Sequence, residues 1–308
     1  MRALVVVNHK ATTTTPRTLD VMLSALRHDL KLEVAETDHR GHAIELGRAA
    51  HADGVDLVLA LGGDGTINEV VNGLLGDPNG PPVPKLAIVP GGSTNVLARN
   101  LGIPSDPIEA TGLLLDAVRS GRSRPLGLGR LDDRWFTFCA GAGFDADVVR
   151  EVEKRRAAGK KSTTMLYARM AARRFFAQHG RRHGTMTLER PGSAPVAGLV
   201  LAIVTNTAPW TYLGKRPVNP TPEASFAKGL DLFALTKLTL PRTLRHMAEI
   251  TLSSRRGARG GDVLVLHDQT EMVLRAEHPV PVQVDGDYLG ERTLLTLRSE
   301  PHALDVVC

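Results

Sequence analysis

The chain has 308 residues, of which 42% are hydrophobic and 23% are charged. This length suffices for two average domains, and the composition excludes a disordered chain, a collagen-like repeat and a coiled-coil rod. The two cysteines, Cys139 and Cys308, form no CxxC pair, so neither a disulfide framework nor a zinc ribbon is predicted. Apolar runs reach only about seven residues, against roughly 18 for a membrane-spanning helix, so we expect a soluble cytoplasmic protein.

The net charge of +5 favours anionic partners, such as nucleic acids, phosphate compounds or an acidic membrane surface. Aromatic residues make up only 4% of the chain. Proteins that bind single-stranded nucleic acids stack bases on aromatic side chains, so this composition disfavours a nucleic-acid partner. A charge of this size is also common on proteins without any anionic partner.

In the first 120 residues, short strand-like runs alternate with helical patterns. This alternation indicates βαβ crossovers and a parallel sheet covered on both faces, whose ligands bind beyond the carboxyl ends of the strands. The predicted strands are residues 3–7, 32–36, 55–61 and 86–89. The predicted helices are residues 18–30, 43–51, 67–75, 95–100 and 107–120.

After Gly121 the pattern changes to closely spaced strands, which is typical of an antiparallel sandwich or barrel. A basic helical stretch is predicted over residues 145–179. The predicted strands are residues 126–131, 135–139, 185–189, 197–205, 230–235, 262–267, 271–276, 281–284 and 292–297. We therefore predict a doubly wound α/β domain over residues 1–123 and an antiparallel β-sandwich over residues 124–308, with the last residues free to pack back on the first domain.

A glycine-rich corner, Gly62-Gly63-Asp64-Gly65-Thr66, follows the third predicted strand. Glycines let the backbone turn tightly and approach a phosphate, while the amides at a helix start supply positive potential. Thr66 and Glu69 have the spacing of a capping box, which predicts the helix start. Asp64 would repel a phosphate unless it holds a cation or handles a proton. The alternative is a structural corner with an incidental acid.

A second corner, Pro90-Gly91-Gly92-Ser93-Thr94-Asn95, follows the next strand at the same predicted sheet edge. Two adjacent corners favour a phosphate cleft more strongly than either alone. Neither is a Walker A loop, because the chain contains no Gly-Lys-Ser/Thr. Residues 141–146 fit the dinucleotide pattern GxGxxA, but no acid follows about twenty residues later, so we reject a dinucleotide site there.

These two corners, with Asn68 and Glu69 behind the first, resemble the diacylglycerol kinase catalytic family. Within that family the chain is similar to the soluble bacterial lipid kinases, which are related to sphingosine and ceramide kinases. The resemblance spans nearly the whole chain, because it continues through residues 140–146, Asn206, 228–231 and 284–287. It implies an α/β nucleotide-binding domain joined to a lipid-binding β-sandwich, with the active site between them.

The resemblance implies sites for ATP and for Mg²⁺, which phosphoryl transfer needs on the β and γ oxygens. The implied ATP-binding residues are Asn8, Thr12, Thr37, Gly62, Gly63, Asp64, Gly65, Thr66, Asn68, Glu69 and Ser93. Several bacterial members also hold a structural Mg²⁺ through an Asp before Gly-Leu. This chain has Lys228 there, and because an ammonium cannot ligate a metal we predict no protein metal site.

The triplet Asp285-Gly286-Asp287 matches a family motif normally written Asp-Gly-Glu, whose last acid is the catalytic base. Asp287 is one methylene shorter than that Glu. The candidate catalytic acids are therefore Asp287, Asp285 and Asp64. The alternative for the triplet is a plain turn joining two strands, since Asp-Gly favours turns.

Between residues 154 and 182 the chain has ten Lys and Arg residues and no Asp or Glu. On a helical wheel Arg169 and Arg173 fall within the arc of Leu166 and Met170, so the stretch is not a clean amphipathic helix. Long basic side chains can still reach from such an arc toward lipid headgroups. The stretch is therefore interpreted either as a solvated basic helix or as a docking surface for acidic lipid.

Together these features predict an ATP-dependent kinase that phosphorylates the hydroxyl of a membrane lipid, with diacylglycerol as the preferred acceptor. A sphingoid or ceramide-like acceptor, and a non-catalytic protein that senses ATP or lipid, stay open as alternatives. NAD kinase and phosphofructokinase relatives share the Gly-Gly-Asp-Gly corner, but the second corner and the late Asp-Gly-Asp argue against them. We expect a cytoplasmic protein, monomeric or homodimeric, that contacts the inner face of the membrane transiently.

Overall fold

The computed structural model describes residues 1–9, 15–77, 80–157, 164–177, 184–252 and 257–308. Residue contacts divide the chain into two compact units. The first comprises Met1–Gly127 together with His302–Cys308, and the second comprises Leu128–Pro301. The last residues therefore belong to the unit formed by the start of the chain, while the predicted domain boundary after residue 123 stays a prediction.

The first unit is built on a parallel sheet with the strand order β2-β1-β3-β4. Its strands are β1 (Arg2–Val7), β2 (Lys31–Glu36), β3 (Leu57–Gly62) and β4 (Lys85–Pro90). All three pairings are parallel. Val306, near the end of the chain, pairs with Leu86 of β4. Every residue of β3 is buried, as expected for a central strand covered on both faces.

Helices follow the strands of the first unit in turn. They are α1 (Pro16–Asp29), α2 (His42–Ala52), α3 (Asp64–Leu74), α4 (Val96–Asn100) and α5 (Pro107–Arg119). Helix α1 packs against α5, and α2 packs against α3. Glycines permit the second contact, because a Cβ on Gly73 would lie 2.3 Å from the Ile44 carbonyl oxygen. Thr15 and Asp106 cap α1 and α5 through their side chains, each ahead of a proline in the first turn.

The strands after the first four pair with one another antiparallel. They are β5 (Arg124–Leu131), β6 (Arg134–Phe136), β7 (Cys139–Gly143), β8 (Met186–Arg190), β9 (Ser193–Leu199), β10 (Leu201–Thr205), β11 (Thr211–Leu213), β12 (Arg216–Val218), β13 (Leu230–Leu235), β14 (Val263–Gln269), β15 (Glu271–Val284) and β16 (Asp287–Val306). Strand β15 pairs with β8 over residues 273–276 and with β7 over residues 282–284. Its pairing register with β16 shifts between Arg275 and Val280.

The two layers enclose a hydrophobic core. One layer contributes Ala140 and Val204, and the other contributes Leu274 and Leu297, which line a common space and belong to one buried cluster. Alternate residues of β10, β13 and β15 belong to this buried cluster, as sheet-on-sheet packing requires. The predicted fold class, a doubly wound α/β domain followed by an antiparallel β-sandwich, is confirmed.

Some predicted elements were wrong in extent. The strand predicted over 197–205 is two strands, because the chain leaves β8 after Leu199 and pairs with β7 and β13 from Leu201. The basic stretch forms two helices, α6 (Phe144–Ala157) and α7 (Thr164–Ala177), and helix α8 (Leu240–Leu252) was missed. Across the described ranges, no helix combines the length and the apolarity needed to cross a membrane.

Candidate functional site

The carboxyl ends of β1, β2 and β3 bring predicted nucleotide-binding residues together. The N–H of Asn8 donates to the Leu61 carbonyl at 3.0 Å, and its side-chain amide donates to Thr66 Oγ1 at 2.8 Å. The N–H of Thr37 donates to the last carbonyl of β1 at 2.8 Å. Asn8, Thr37 and the first glycine corner therefore share one sheet edge, whereas Thr12 lies outside the described residues.

The two glycine corners pack backbone against backbone. Gly62 and Pro90 are paired in register at the ends of β3 and β4, so the corners leave the sheet side by side. A Cβ on Gly92 would lie 2.7 Å from the Cα of Gly63, which is closer than any side chain can approach. Glycine is thus required here by the contact between the corners, independently of any ligand.

Asp64 joins the two corners through its carboxylate. Its Oδ2 accepts from the N–H of Val96 at 3.0 Å, and its Oδ1 accepts from the N–H of Leu97 at 3.2 Å. These are the first N–H groups of α4, which that helix cannot satisfy internally. The Asp64 side chain therefore caps a helix 32 residues further along the chain. It remains partly exposed at the same sheet edge.

The predicted capping box at the start of α3 is wrong. Helix α3 begins at Asp64, so Thr66 lies inside its first turn rather than before it. The Thr66 hydroxyl accepts the amide of Asn8, and Glu69 Oε1 accepts from the N–H of Gly41 at 2.9 Å. Both side chains thus bind other loops of the sheet edge, and these long-range partners replace the local cap.

Reciprocal hydrogen bonds close the second corner. Asn95 has a φ of 49°, and its side chain both accepts from the N–H of Gly92 at 2.9 Å and donates to its carbonyl at 2.8 Å. This turn leaves Ser93 exposed at the surface. Asn68 is buried behind the first corner, where its backbone carbonyl accepts from Asn72 at 2.8 Å.

The turn between β15 and β16 contains the predicted catalytic triplet. The carboxylate of Asp285, its first acid, is fully hydrogen-bonded to the protein. Asp285 is only 5% exposed. It accepts from the N–H and hydroxyl of Thr137 at 2.7 and 2.9 Å, and from the N–H groups of Phe138 and Cys139 at 3.0 Å each. Burial raises the pKa of Asp285, while these hydrogen bonds oppose the rise. Since a carboxylate offers about four acceptor sites, this geometry suits an anchor better than a base.

Asp287 is the first residue of β16 and is partly exposed. Helix α6 holds the backbone next to it, because the N–H of Tyr288 donates to Glu153 Oε1 at 3.2 Å. Further along β16, Arg150 Nη1 pairs with Glu291 at 2.9 Å. Two side chains of α6 therefore fix the segment that carries Asp287.

A glutamine connects the triplet to the start of α6. Gln283 is 1% exposed; its Oε1 accepts from the N–H of Gly286 at 2.9 Å, and its Nε2 donates to Asp145 Oδ2 at 2.9 Å. Burial raises the pKa of Asp145 to about 6, and the Gln283 amide opposes this rise. Gly141 makes room for this contact, because a Cβ there would lie 2.1 Å from Asp145 Oδ2. Sequence reasoning missed Gln283, since no motif marks it.

Lys228 lies in a polar cluster near the ends of β13 and β14. Its Nζ is 3.0 Å from His267 Nε2, and His267 Nδ1 is 2.7 Å from Asp231 Oδ1. Burial raises the pKa of Asp231, and the hydrogen bond to His267 opposes the rise. An ammonium and an imidazole do not suit Mg²⁺, which prefers oxygen ligands, so these residues do not fit a structural magnesium.

An ion pair between Arg174 on α7 and Asp147 on α6 joins the two helices of the basic stretch. Arg150 and Arg174 both pair with the buried carboxylate of Asp147. Arg169 and Arg173 are exposed. The side chains of five further basic residues of this stretch lie outside the described part of the structure: Arg156, Lys160, Lys161, Arg181 and Arg182.

Comparison with known proteins matches the N-terminal part of the chain to a family model. Residues 2–131 match the family model described as the diacylglycerol kinase catalytic domain. A diacylglycerol kinase from Bacillus subtilis (strain 168) is 28% identical over 252 residues, which cover 81% of this chain and 77% of that protein. A diacylglycerol kinase from Staphylococcus haemolyticus (strain JCSC1435) is 36% identical over 141 residues, covering 45% and 40% respectively.

Solved structures share the fold over the whole chain. A putative diacylglycerol kinase from Bacillus anthracis str. Sterne superposes with a TM-score of 0.76 at 22% identity, covering 99% of this chain and 97% of that one. A second structure, of a diacylglycerol kinase from the same organism, has a TM-score of 0.71 at 21% identity, covering 99% and 96%. At this level of identity the likeness establishes a common fold.

Proposed function

We propose that the chain is an ATP-dependent lipid kinase, because residues 2–131 match the model of the diacylglycerol kinase catalytic domain. The proposed acceptor is the hydroxyl of diacylglycerol, and the product is phosphatidic acid. The observation that carries the proposal is the convergence of Asn8, Thr37 and two glycine corners at one sheet edge. Ligands of parallel sheets bind at this edge, beyond the carboxyl ends of the strands.

The first unit would bind the nucleotide. The first turn of α3 directs N–H groups toward the edge, where they attract phosphate oxygens. Asn8 and Thr66 are held by their mutual hydrogen bond, so this part of the edge is preorganised. Mg²⁺ bound with ATP would supply positive charge to the triphosphate. Asp64, the partly exposed carboxylate of this edge, is the residue that would hold or orient that ion.

Asp287 is the proposed catalytic base. The hydroxyl oxygen of the lipid attacks the γ phosphorus, the bond to the β-phosphate oxygen breaks, ADP leaves, and the hydroxyl proton passes to the Asp287 carboxylate. Asp285 is disfavoured in this role because its carboxylate accepts four hydrogen bonds from the protein. Phosphoryl transfer depends mostly on positioning and charge stabilisation, so a base shorter by one methylene is compatible with turnover.

The lipid would be reached at an anionic membrane surface. The exposed guanidinium groups of Arg169 and Arg173 on α7 support this proposal, because they can pair with phosphate headgroups. Binding to vesicles that contain anionic lipid, compared with neutral vesicles, tests it. The double variant Arg169→Gln/Arg173→Gln should bind anionic vesicles more weakly.

The experiment that tests the function is transfer of labelled γ-phosphate from ATP to lipids in mixed micelles containing Mg²⁺. Diacylglycerol, ceramide and sphingosine are offered separately, and we expect label on diacylglycerol. Label on ceramide or sphingosine alone would replace the acceptor. If no lipid is labelled while ATP still binds, the chain is a non-catalytic ATP- or lipid-sensing protein and the proposal is wrong.

A further inference from the structure

Three side chains with metal-ligating atoms converge between β2 and α2. Asp38 Oδ1 contacts His39 Nδ1 and lies 2.8 Å from His42 Nδ1. The two imidazole rings stack with centroids 4.8 Å apart and an interplanar angle of 10°. One ligand atom from each of the three residues lies within 4.8 Å of the other two.

The ligand atoms of this convergence need a proton or a cation between them. A carboxylate oxygen and an unprotonated imidazole nitrogen both present lone pairs, so they attract one another only through a proton or a cation. A proton shared between these atoms can serve this purpose. Metal ions compete with protons for the same lone pairs.

Glu45 is placed as a supporting group for one of these histidines. It lies in the first turn of α2, and its Oε1 is 3.7 Å from His39 Nε2. In protein metal sites a ligating histidine directs its other ring nitrogen to a carboxylate or carbonyl, which fixes the ring orientation. His39 has this arrangement, with Nδ1 toward Asp38 and Nε2 toward Glu45.

The turn that carries the three residues is tied to the adjacent helix. Gly41 has a φ of 90°, which an L side chain rarely adopts, and this lets the chain reverse between His39 and His42. The N–H of Gly41 donates to Glu69 Oε1 on α3 at 2.9 Å. The spacing of the ligands is therefore set by the backbone rather than by the side chains alone.

We propose that Asp38, His39 and His42 bind a divalent transition-metal ion, with Zn²⁺ as the expected ion and its fourth position open to water. Two imidazoles and one carboxylate form a donor set that suits zinc, whereas Mg²⁺ prefers oxygen ligands and near-octahedral geometry. The ligand atoms around a tetrahedral Zn²⁺ stand roughly 3.3 Å apart, and the stacked imidazole rings would turn so that both nitrogens point at the ion. Its ligands differ from Asp64, the residue proposed for the magnesium bound with the nucleotide.

The test is titration of the chelator-treated, untagged protein with Zn²⁺ in competition with a chromophoric zinc indicator. We expect one equivalent to bind, and His39→Ala and His42→Ala each to abolish competition with the indicator. Glu45→Gln should weaken binding about 10-fold, as loss of an outer partner does. His28→Ala removes an exposed histidine of α1 outside the cluster and should bind Zn²⁺ as the unchanged protein does.

Substitution with Co²⁺ gives a second readout, because its visible absorption reports the ligand set. The band should be present in the unchanged protein and in His28→Ala, and absent in His42→Ala. All of these residues are at least partly exposed, so thermal melting should show the variants folded. The proposal is overturned if the unchanged protein fails to compete, or if the His39→Ala/His42→Ala double variant retains full binding. Neither readout involves phosphate transfer, so the outcome is independent of the proposed function.

Discussion

Two aspartates, Asp64 in the motif of the first unit and Asp285 in that of the second, both bind backbone N–H groups but in different surroundings. Asp64 caps α4 with two accepted hydrogen bonds and stays partly exposed. Asp285 is buried and accepts four. The difference indicates that burial separates two roles of the acids within a motif. A buried acid can stabilise the fold, while a partly exposed acid beside it can take part in the reaction.

The largest expected effect is on turnover, and it concerns Asp287, which does not belong to this pair. Asp287→Asn should lower turnover by roughly 10²- to 10⁴-fold, because it removes a positioned base. The KM for ATP should change little, since the group acts on the acceptor hydroxyl. Steady-state kinetics with varied ATP measure both quantities. Asp287→Glu, which restores the residue of the family motif, should retain substantial activity; near-normal turnover of Asp287→Asn would remove this residue from the mechanism.

Asp285→Asn should destabilise the fold by about 3 kcal/mol, because an amide in that place leaves buried N–H donors without a charged acceptor. Asparagine tolerates the positive φ of 49°, so backbone strain does not confuse the result. Urea denaturation measures the loss, and Asp287→Asn is the matched control, expected within about 0.5 kcal/mol of the unchanged protein. Equal stability of the two variants would contradict the anchoring role of Asp285.

Asp145 should make stability depend on pH in the acid range. Its pKa rises from 3.8 to about 6 on folding, so between these values the folded state binds more protons than the unfolded state. Stability should therefore fall by about 1–2 kcal/mol as the pH rises from 4 to 6 and then level off. Denaturation of Asp145→Asn across this range should lack that component. An unchanged slope in the variant would assign the effect to other groups.

The smallest effect separates the two functions of Asp64. Asp64→Ala should cost about 1 kcal/mol through the lost cap of α4. Asp106→Ala removes the side-chain cap of α5 and should cost a similar amount. Only Asp64→Ala should weaken binding of magnesium-ATP, as measured by calorimetry. Equal nucleotide binding by the two variants would reduce Asp64 to a structural cap.

The helices, strands and glycine corners of the first unit could be predicted from the sequence, because hydrophobic periodicity and turn residues determine them. The strands and helices of the first unit follow from alternation of apolar runs, and both corners follow from their glycines. The partners of Asp64 and Asp285 were not accessible, since they lie 32 and more than 140 residues away. Gln283 gave no signal at all, because its contact with Asp145, 138 residues away, is created only by the fold.

Helix α8 shows why some elements stay hidden. Only His246 and Ile250 are buried in it, while Leu244 and Met247 are exposed, so its apolar residues do not trace the buried face. The metal cluster is the opposite case. Asp38, His39 and His42 are close in sequence and could have been noted there, but the stacking of the rings and the position of Glu45 required the structure.

The first unit is discontinuous in the chain, and this has a consequence for its biosynthesis. Leu304, Val306 and Val307 are buried within a unit whose other residues end at Gly127. On a ribosome, the parallel sheet would emerge early and remain incomplete until about 170 more residues had been translated, exposing the edge of β4 meanwhile. Unpaired sheet edges are prone to wrong pairing, so the nascent chain has a vulnerable interval that chaperones would have to cover.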